Sequence, residues 1–197
     1  MLASGSPHRA AALARLGLEA AVDAPDVDES ARPGEPARDL VLRLGEAKAR
    51  AVAARRPGRL VLGSDQSATL DPGTAAELRL EKPGTAARAR AQLARLSGRS
   101  LTVYTSLVVL DGRDARPGPA VQRHVDATRL SVRALDAGEI RRYVAADAPL
   151  DCAGAFRIES RGPALFDAVE SEDPSALVGL PLIALCRMLR ACGLALP

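Results

Sequence analysis

The chain has 197 residues, 47% of them hydrophobic, with a formal net charge of +3 and a sequence pI near 9.0. This size and composition predict one domain, residues 1–197, or one domain with a small lobe, with a substantial core. Only 2% of the residues are aromatic and none is tryptophan, so base stacking is poorly supplied and nucleic-acid binding is not expected. The longest apolar run, near residues 177–186, is too short to span a bilayer, so we expect a soluble, cytoplasmic protein with no membrane partner.

The chain begins with a Ser/Gly loop that leads into Pro7. Ser6 is a good N-cap and Pro7 a favoured first helical residue, which predicts a helix that ends at Gly17. Free backbone amides at this helix start, with Arg9 in the first turn, would suit phosphate oxygens. The alternative is an ordinary capped helix that carries a surface arginine.

A long helix is predicted from Pro36 to about Arg55. Its apolar residues have the three-and-four spacing of one buried face: Leu40, Val41, Leu44, Ala47 and Ala51. Lys48 lies beside this stripe, so its stem can run along the core while its ammonium reaches a cavity. A solvated helix lysine is the alternative. Of the 27 basic residues only Lys48 and Lys82 are lysine, which points to places that need a compact ammonium rather than a planar fork.

A short buried strand is predicted at residues 60–63, bounded by Pro57-Gly58 and Gly63. Asp65 follows it directly. In α/β proteins, reacting groups lie in the crevice beyond the carboxyl ends of such strands, so Asp65 is a candidate reacting group. A turn-capping role for Asp65 is the alternative.

The second half of the chain alternates further strands and helices. We predict a brief strand at 78–83, a helix from Thr85 to Leu96, a long antiparallel hairpin of residues 100–110 and 121–132 joined by a Pro/Gly loop, a helix opened by an Asp136/Glu139 capping box, and an apolar helix at 182–192. Pro83 forces Lys82 towards an extended conformation. The pattern indicates an α/β fold.

The polar residues singled out suit a triphosphate substrate. Arg9 and the two lysines would neutralise phosphate oxygens, while Glu29, Asp65 and Glu159 are acidic. A carboxylate can hold a divalent metal or orient an attacking water. Phosphate chemistry on a small-molecule nucleotide is therefore the natural expectation.

Seven segments resemble, in the same order, the motifs of the Maf family: Leu2-Ala3-Ser4-Gly5-Ser6-Pro7-His8-Arg9, Val27-Asp28-Glu29, Glu46-Ala47-Lys48-Ala49, Gly63-Ser64-Asp65-Gln66, Lys82-Pro83, Cys152-Ala153-Gly154-Ala155-Phe156 and Val178-Gly179-Leu180-Pro181-Leu182. The family comprises cytoplasmic nucleotide pyrophosphatases, once described as septum-formation inhibitors. The resemblance implies a fold like that of the inosine-triphosphate pyrophosphatases: a mixed twisted sheet, flanking helices and a cleft between two lobes.

The resemblance also implies an activity: hydrolysis of the α-β phosphoanhydride of a nucleoside triphosphate, with Mg²⁺ or Mn²⁺. By this likeness Asp65 accepts a proton from water, or binds the metal, and Glu29 assists catalysis or metal binding. The residues that match triphosphate-binding positions are Ser4, Ser6, Arg9, Lys48 and Lys82.

The base preference is argued from three further positions. The family's dTTP/UTP subgroup carries Asp-Thr where this chain has Asp65-Gln66, and a glutamine where it has Glu159, so the chain resembles the 7-methyl-GTP subgroup. Glu159 could accept from the N1 and N2 hydrogens of guanine, and Gln66 could donate to O6. His8 stands where that subgroup commonly has tryptophan, and imidazole stacks less well on a cationic base. An exposed polar residue is the alternative for His8.

Other hypotheses follow from the same resemblance. A nucleotide-binding regulator of cell division that acts through protein contacts is one alternative, and a pyrophosphatase with dTTP/UTP preference is another. The family likeness also implies a homodimer.

Overall fold

The computed structural model describes residues 1–113 and 120–196. Their strands and helices are, in chain order, β1 (Leu2–Ala3), α1 (Pro7–Ala14), α2 (Ala37–Arg55), β2 (Leu60–Gly63), β3 (Gln66–Leu70), β4 (Leu78–Leu80), α3 (Ala86–Leu96), β5 (Ser100–Asp111), β6 (Ala120–Val132), α4 (Ala137–Asp147), β7 (Phe166–Glu170) and α5 (Leu182–Ala191). Short 3₁₀ helices lie at Ala153–Ala155, Gly162–Leu165 and Pro174–Val178. Most of the Pro/Gly loop predicted between β5 and β6 lies outside the described residues. None of the helices described is long and apolar enough to cross a membrane.

The chain divides into two compact units. The first comprises Met1–Gln66, Thr105–Asp126 and Asp173–Pro197, and the second comprises Ser67–Tyr104 and Ala127–Glu172. The expectation that residues 1–197 act as one domain stays a prediction.

The first unit is built on strands that are buried on both faces. β1 runs parallel to β2, with Leu2 opposite Leu62, and β2 runs antiparallel to β5, with Gly63 opposite Val108. One face packs against α1 and α5 through buried residues that include Leu2, Leu13, Leu62, Leu107, Val109 and Leu185. The other face packs against α2 through Ala3, Ala49, Val52, Val61, Val108 and Leu110. Because successive side chains of a strand alternate between faces, β2 supplies both clusters, as its apolar sequence predicts.

The ends of the first unit's helices follow local chemistry. The Ser6 side chain caps α1 by accepting from the Arg9 amide, and Pro7 is the first helical residue. Gly17, beyond the helix end, has a φ of +68°, which glycine adopts without strain.

The predicted buried stripe of α2 is wrong in its second half. Leu40, Val41 and Leu44 are buried as predicted, but Ala47 and Ala51 are only half-buried. Their places on the inner face are taken by Gly45, Lys48, Ala49 and Val52. The helix turns its small residues inward because strand backbone approaches it closely there.

In the second unit, β3 pairs antiparallel with β4, and β6 pairs antiparallel with β7. α3 begins at the Thr85 N-cap, and α4 begins at a complete capping box of Asp136 and Glu139, both as predicted. The predicted α/β fold with a mixed sheet and flanking helices is confirmed, and the sheet is mostly antiparallel. β3, β7 and the 3₁₀ helices were not predicted.

Candidate active site

The Asp65 carboxylate and the Lys48 ammonium form a close ion pair in the first unit. Lys48 Nζ donates to Asp65 Oδ1 at 2.6 Å. Asp65 comes two residues after the end of β2, and Lys48 lies on the inner face of α2, where its residue is only 7% exposed. The stem of Lys48 thus lies along the core, as the sequence predicts, and its ammonium meets the candidate reacting acid.

Glu29 lies on the other side of the same ammonium. Its Oε1 is 2.7 Å from Lys48 Nζ, while 60% of its side chain is exposed. One ammonium therefore contacts two carboxylates, one largely buried and one open to solvent. The structure brings together three of the residues singled out in the sequence.

Burial raises the pKa of Asp65 above its ordinary value. The positive charges of Lys48 and Arg9 oppose that change by favouring the carboxylate, and the negative charge of Glu29 adds to it. Desolvation is the largest of these effects, so the pKa of Asp65 lies on the side that suits a group accepting a proton near neutral pH.

The Arg9 side chain makes two hydrogen bonds at the start of α1. Its Nε donates to the Gly179 carbonyl at 3.0 Å and its Nη1 donates to Ser4 Oγ at 3.1 Å. Ser64 Oγ donates to the same Gly179 carbonyl at 3.1 Å. Burial lowers the pKa of Arg9, and the charges of Asp65 and Glu29 offset part of that change. The guanidinium stays charged because the ordinary pKa of arginine lies far above neutral pH.

Ser6 and His8 complete the loop and first turn. The Ser6 amide donates to Ser4 Oγ at 3.1 Å, and Ser6 Oγ accepts from the Arg9 amide at 3.5 Å. Ser4 Oγ thus accepts from both the loop backbone and Arg9. His8 is exposed, and whether it or the serines contact a ligand stays a prediction.

Three hydrogen bonds fix the orientation of the Gln66 carboxamide and so decide which of its atoms can contact a ligand. Its Nε2 donates to Thr105 Oγ1 at 2.9 Å, to the Ala176 carbonyl at 3.0 Å and to the Leu177 carbonyl at 3.3 Å. Thr105 Oγ1 donates to the Ala176 carbonyl at 3.0 Å. Carbonyl oxygens only accept, so the amide nitrogen must face them. The donation to guanine O6 expected of Gln66 would require breaking these bonds, and the group it has left to offer is the acceptor Oε1.

Lys82 and Glu159 lie in the second unit, and both are exposed. Lys82 follows β4 and precedes the buried Pro83, as the sequence predicts. Glu159 follows the 3₁₀ helix Ala153–Ala155. Their roles in substrate binding and base recognition stay predictions.

The sequence reasoning missed Thr105 and Ser106, neighbours on β5 that contact the Asp65-Gln66 pair. Ser106 Oγ accepts from the Asp65 amide at 2.9 Å, and the Ser106 amide donates to the Asp65 carbonyl at 2.9 Å. The signal available was a pair of consecutive hydroxyl residues directly before the apolar run 107–110 of the strand. Buried hydroxyls are kept where they have hydrogen-bond partners.

Two glycines bring α2 and β2 into backbone contact. A Cβ at Gly63 would lie 2.2 Å from the Gly45 carbonyl, and a Cβ at Gly45 would lie 2.5 Å from Ser106 Oγ. A glycine inside a helix costs about 1 kcal/mol relative to alanine. The close approach at Gly45 gives the physical reason why α2 has a glycine there in spite of that cost.

Asp65 and Glu29 are the candidate metal ligands. No group of three or more His, Cys, Asp or Glu side chains within residues 1–113 and 120–196 is arranged to hold a metal ion. Mg²⁺ is commonly held by one or two carboxylates together with substrate phosphates, and two carboxylates that share one cation fit that mode.

Comparison with known proteins is consistent with this site. A family model described as Maf-like protein matches residues 1–192. The chain is 48% identical over 198 residues to a 7-methyl-GTP pyrophosphatase of Xanthomonas oryzae pv. oryzae (strain MAFF 311018), covering 100% of this chain and 98% of that protein. It is 49% identical over 193 residues to a protein of the same name from Alkalilimnicola ehrlichii, covering 98% and 92%. It is 50% identical over 197 residues to another from Xanthomonas campestris pv. campestris (strain 8004), covering 100% and 97%. The chain therefore belongs to the Maf-like protein family.

Proposed function

We propose that this chain is a nucleoside triphosphate pyrophosphatase that cleaves the α-β phosphoanhydride of 7-methyl-GTP or a related modified guanine nucleotide. The observation that carries the proposal is the largely buried Asp65 carboxylate, paired with Lys48 at 2.6 Å and influenced by the charge of Arg9. Full-length relatives at 45–50% identity bear the name 7-methyl-GTP pyrophosphatase.

In the proposed reaction, water attacks the α-phosphorus. A new phosphorus–oxygen bond forms, the bond between the α-phosphorus and the bridging oxygen breaks, and pyrophosphate leaves with the electron pair. Asp65 takes the proton of the attacking water. Lys48 uses Oδ1 of this carboxylate, so Oδ2 is the oxygen we assign to the proton.

The cations of the site hold the triphosphate and offset its charge. Arg9 offers a planar fork suited to phosphate oxygens, and Lys48 offers a compact ammonium with a hydrogen left beyond its two carboxylate contacts. Ser4 and Ser6 lie at the same helix start, where backbone amides favour anions. We assign Lys82 to the same substrate on the family likeness alone.

Nucleotide pyrophosphatases of this kind generally use a divalent metal. We propose Mg²⁺ or Mn²⁺, with Asp65 and Glu29 as the residues that would hold it together with phosphate oxygens. When bound, the metal would supply positive charge to the phosphate oxygens of the reacting group. Its presence would leave Lys48 free to turn from the carboxylates to the substrate.

For the base, we propose that Glu159 and Gln66 read guanine and that His8 lies against the ring. Gln66 Oε1 can accept from the N1 or N2 hydrogens, a different contact from donation to O6. We also propose a cytoplasmic location. We further propose homodimeric assembly, and size-exclusion chromatography with light scattering would test that assembly.

The nucleotide panel tests the function directly. Purified protein is incubated with Mn²⁺ and 7-methyl-GTP, GTP, dTTP or UTP, and the release of pyrophosphate and monophosphate is measured. We expect the highest kcat/KM with 7-methyl-GTP. Release of orthophosphate would place cleavage at another bond, preference for dTTP or UTP would overturn the base assignment, and no release from any nucleotide would overturn the proposal.

A further inference from the structure

We propose that Ser106 on β5 is a positioning residue that holds the backbone of Asp65 against α2 and so sets the contact between the Asp65 carboxylate and the Lys48 ammonium. Ser106 is 0% exposed, so it acts through Asp65 and does not touch the nucleotide. The inference rests on the proposed function where its effect on turnover is concerned, and its effect on Asp65 itself is independent of that function.

Ser106 contacts Asp65 through both its backbone and its side chain. Its hydroxyl accepts from the Asp65 amide at 2.9 Å, and its own amide donates to the Asp65 carbonyl at 2.9 Å. Asp65 lies between the ends of β2 and β3, where strand pairing does not fix it. These two bonds therefore fix the peptide groups on both sides of the Asp65 Cα.

The same hydroxyl reaches the helix that carries Lys48. Ser106 Oγ donates to the Val41 carbonyl of α2 at 2.6 Å. Val41 and Lys48 are seven residues apart, which places them two turns apart on one face of the helix. Ser106 thus connects the Asp65 backbone to α2, and Lys48 on the same helix contacts the Asp65 carboxylate.

Gly45 leaves the space that this hydroxyl occupies. A Cβ at Gly45 would lie 2.5 Å from Ser106 Oγ but 3.4 Å from Ser106 Cβ and 3.6 Å from Ser64 Cα. An alanine at position 45 therefore collides with the hydroxyl and fits beside the rest of its surroundings. The helix α2 therefore has a glycine, which is unfavourable inside a helix, at the position that the Ser106 hydroxyl approaches.

The test compares Ser106→Ala with wild type. Ser106→Ala removes the bond to the Asp65 amide and the bond to α2, so we expect kcat to fall about 10- to 100-fold, the usual consequence of small misplacement of a reacting group. We expect KM to change little, because Arg9 and the serine loop are untouched. An unchanged kcat in an active enzyme would overturn the proposal.

Ser97→Ala is a matched control. Ser97 Oγ also accepts from a backbone amide, that of Leu135 at 2.8 Å, and donates to a backbone carbonyl, that of Leu135 at 3.2 Å. Its removal should lower the thermal unfolding midpoint to a similar degree and leave kcat at the wild-type value. An equal loss of kcat in both variants would mean that general destabilisation explains the Ser106 result.

The double variant Gly45→Ala/Ser106→Ala separates packing from positioning. Gly45→Ala alone should lower stability through the collision, whereas in the double variant the added methyl group fits and improves the helix, so stability should recover. We expect kcat of the double variant to stay as low as that of Ser106→Ala. Recovery of kcat together with stability would assign Ser106 a packing role only.

The position of the Asp65 carboxylate gives a measure that needs no turnover. In a crystal structure of Ser106→Ala, we expect the distance between Lys48 Nζ and Asp65 Oδ1 to lengthen from 2.6 Å and the Asp65 backbone to move away from α2. The same distance should keep its wild-type value in Ser97→Ala. An unchanged distance and backbone in Ser106→Ala would overturn the proposal even if the wild-type protein released no pyrophosphate, an outcome that would by itself count against the proposed function alone.

Discussion

Lys48 Nζ lies 2.6 Å from Asp65 Oδ1, so the candidate base is in direct contact with its counter-ion. The two residues come from different elements of the fold. The lysine comes from the inner face of α2 and the aspartate from the end of β2. Burial pushes the pKa of Asp65 up while this ammonium pulls it down. The balance of the two makes the protonation of Asp65 sensitive to its neighbours.

Asp65→Asn should abolish turnover and preserve the fold. Removing a general base costs about 10²- to 10⁴-fold in rate. The raised pKa of Asp65 means that its ionisation costs folding free energy at neutral pH, so a neutral asparagine should leave the thermal unfolding midpoint unchanged or higher. Asp71→Asn, at an exposed residue that pairs with Arg99, is the control and should retain activity. Wild-type turnover in Asp65→Asn would assign the base to another group.

Lys48→Met should move the acidic limb of the pH profile of kcat/KM to higher pH. Asp65 must be ionised to take a proton, so activity rises as pH passes its pKa. Removing the ammonium removes an interaction that lowers that pKa, which therefore rises further. Arg50→Met on the same helix, whose guanidinium pairs with Glu46, should leave the limb in place. A shift to lower pH, or an equal shift in the control, would contradict the electrostatic role of Lys48.

Glu29→Gln should weaken metal activation more than substrate binding. If Glu29 and Asp65 hold the metal, the Mn²⁺ concentration for half-maximal activity should rise at least about tenfold. Calorimetric titration with Mn²⁺ and a non-hydrolysable nucleotide should show the same loss. Asp28→Asn, next door, keeps a side-chain oxygen for the Ser30 amide and should bind Mn²⁺ normally. Equal Mn²⁺ dependence in wild type and Glu29→Gln would remove Glu29 from the metal site.

Thr105→Val should lower the selectivity for the base, while hydrolysis continues. The valine removes one of the three acceptors of Gln66 Nε2, so the two remaining carbonyls hold the carboxamide, and with it Oε1, less firmly. We expect the ratio of kcat/KM for GTP over ITP, which lacks the 2-amino group, to fall about two- to tenfold, the value of one neutral hydrogen bond. Thr69→Val removes another buried threonine hydroxyl and should keep the ratio. An unchanged ratio in Thr105→Val would show that the bond from Gln66 to the Thr105 hydroxyl does not contribute to selectivity.

Glu46 should contribute to stability at neutral pH and not in strong acid. Hydrogen bonds from Arg123, and then from Arg50, lower the pKa of Glu46 from 4.5 to about 2. A depressed pKa stabilises the fold above the ordinary value and loses that effect as pH falls from 4.5 towards about 2. The pair is partly exposed, so its contribution is about 0–1 kcal/mol.

Urea unfolding of Glu46→Gln measures this contribution. The variant should be less stable than wild type at neutral pH, and the difference should vanish in acid. Glu19→Gln, at an exposed residue of the first unit, should match wild type at both pH values. If the stability difference between wild type and Glu46→Gln grew as pH fell, the pKa of Glu46 would not be lowered by folding as assigned.

Much of the fold follows from local sequence rules. Ser6 and Pro7, Thr85, and the Asp136/Glu139 box start helices where their chemistry predicts, because each satisfies amides that a helix start leaves unpaired. β3 was missed because Gln66 and Ser67 interrupt the apolar pattern that marks a strand. The second half of the buried α2 stripe was mispredicted because alanine is more apolar than glycine or lysine and was therefore expected on the inner face. Close packing decided instead which residues face inward.

The candidate site was predictable as a set of residues and not as an arrangement. Lys48 and Asp65 could be named from the motifs, but their contact depends on how α2 packs on β2. The bonds of Thr105 and Ser106 join residues 39 and 41 positions away in the chain, which no local spacing reveals. The orientation of the Gln66 amide depends likewise on the carbonyls of the 3₁₀ helix Pro174–Val178.

Asp65 and Gln66 are adjacent in the chain, yet different parts of the first unit support them. Asp65 is anchored to α2 through Ser106, and Gln66 is anchored to the 3₁₀ helix Pro174–Val178 through its amide and through Thr105. On the proposed role of Gln66, we therefore expect changes at Ala176 or Leu177 to act first on the choice of nucleotide. Gly179 at the end of the same helix differs, because its carbonyl accepts from Arg9 and from Ser64, so a change there should affect the hydrolytic step as well. A protein engineer who wants a new substrate preference would begin at the first two positions and leave the glycine in place.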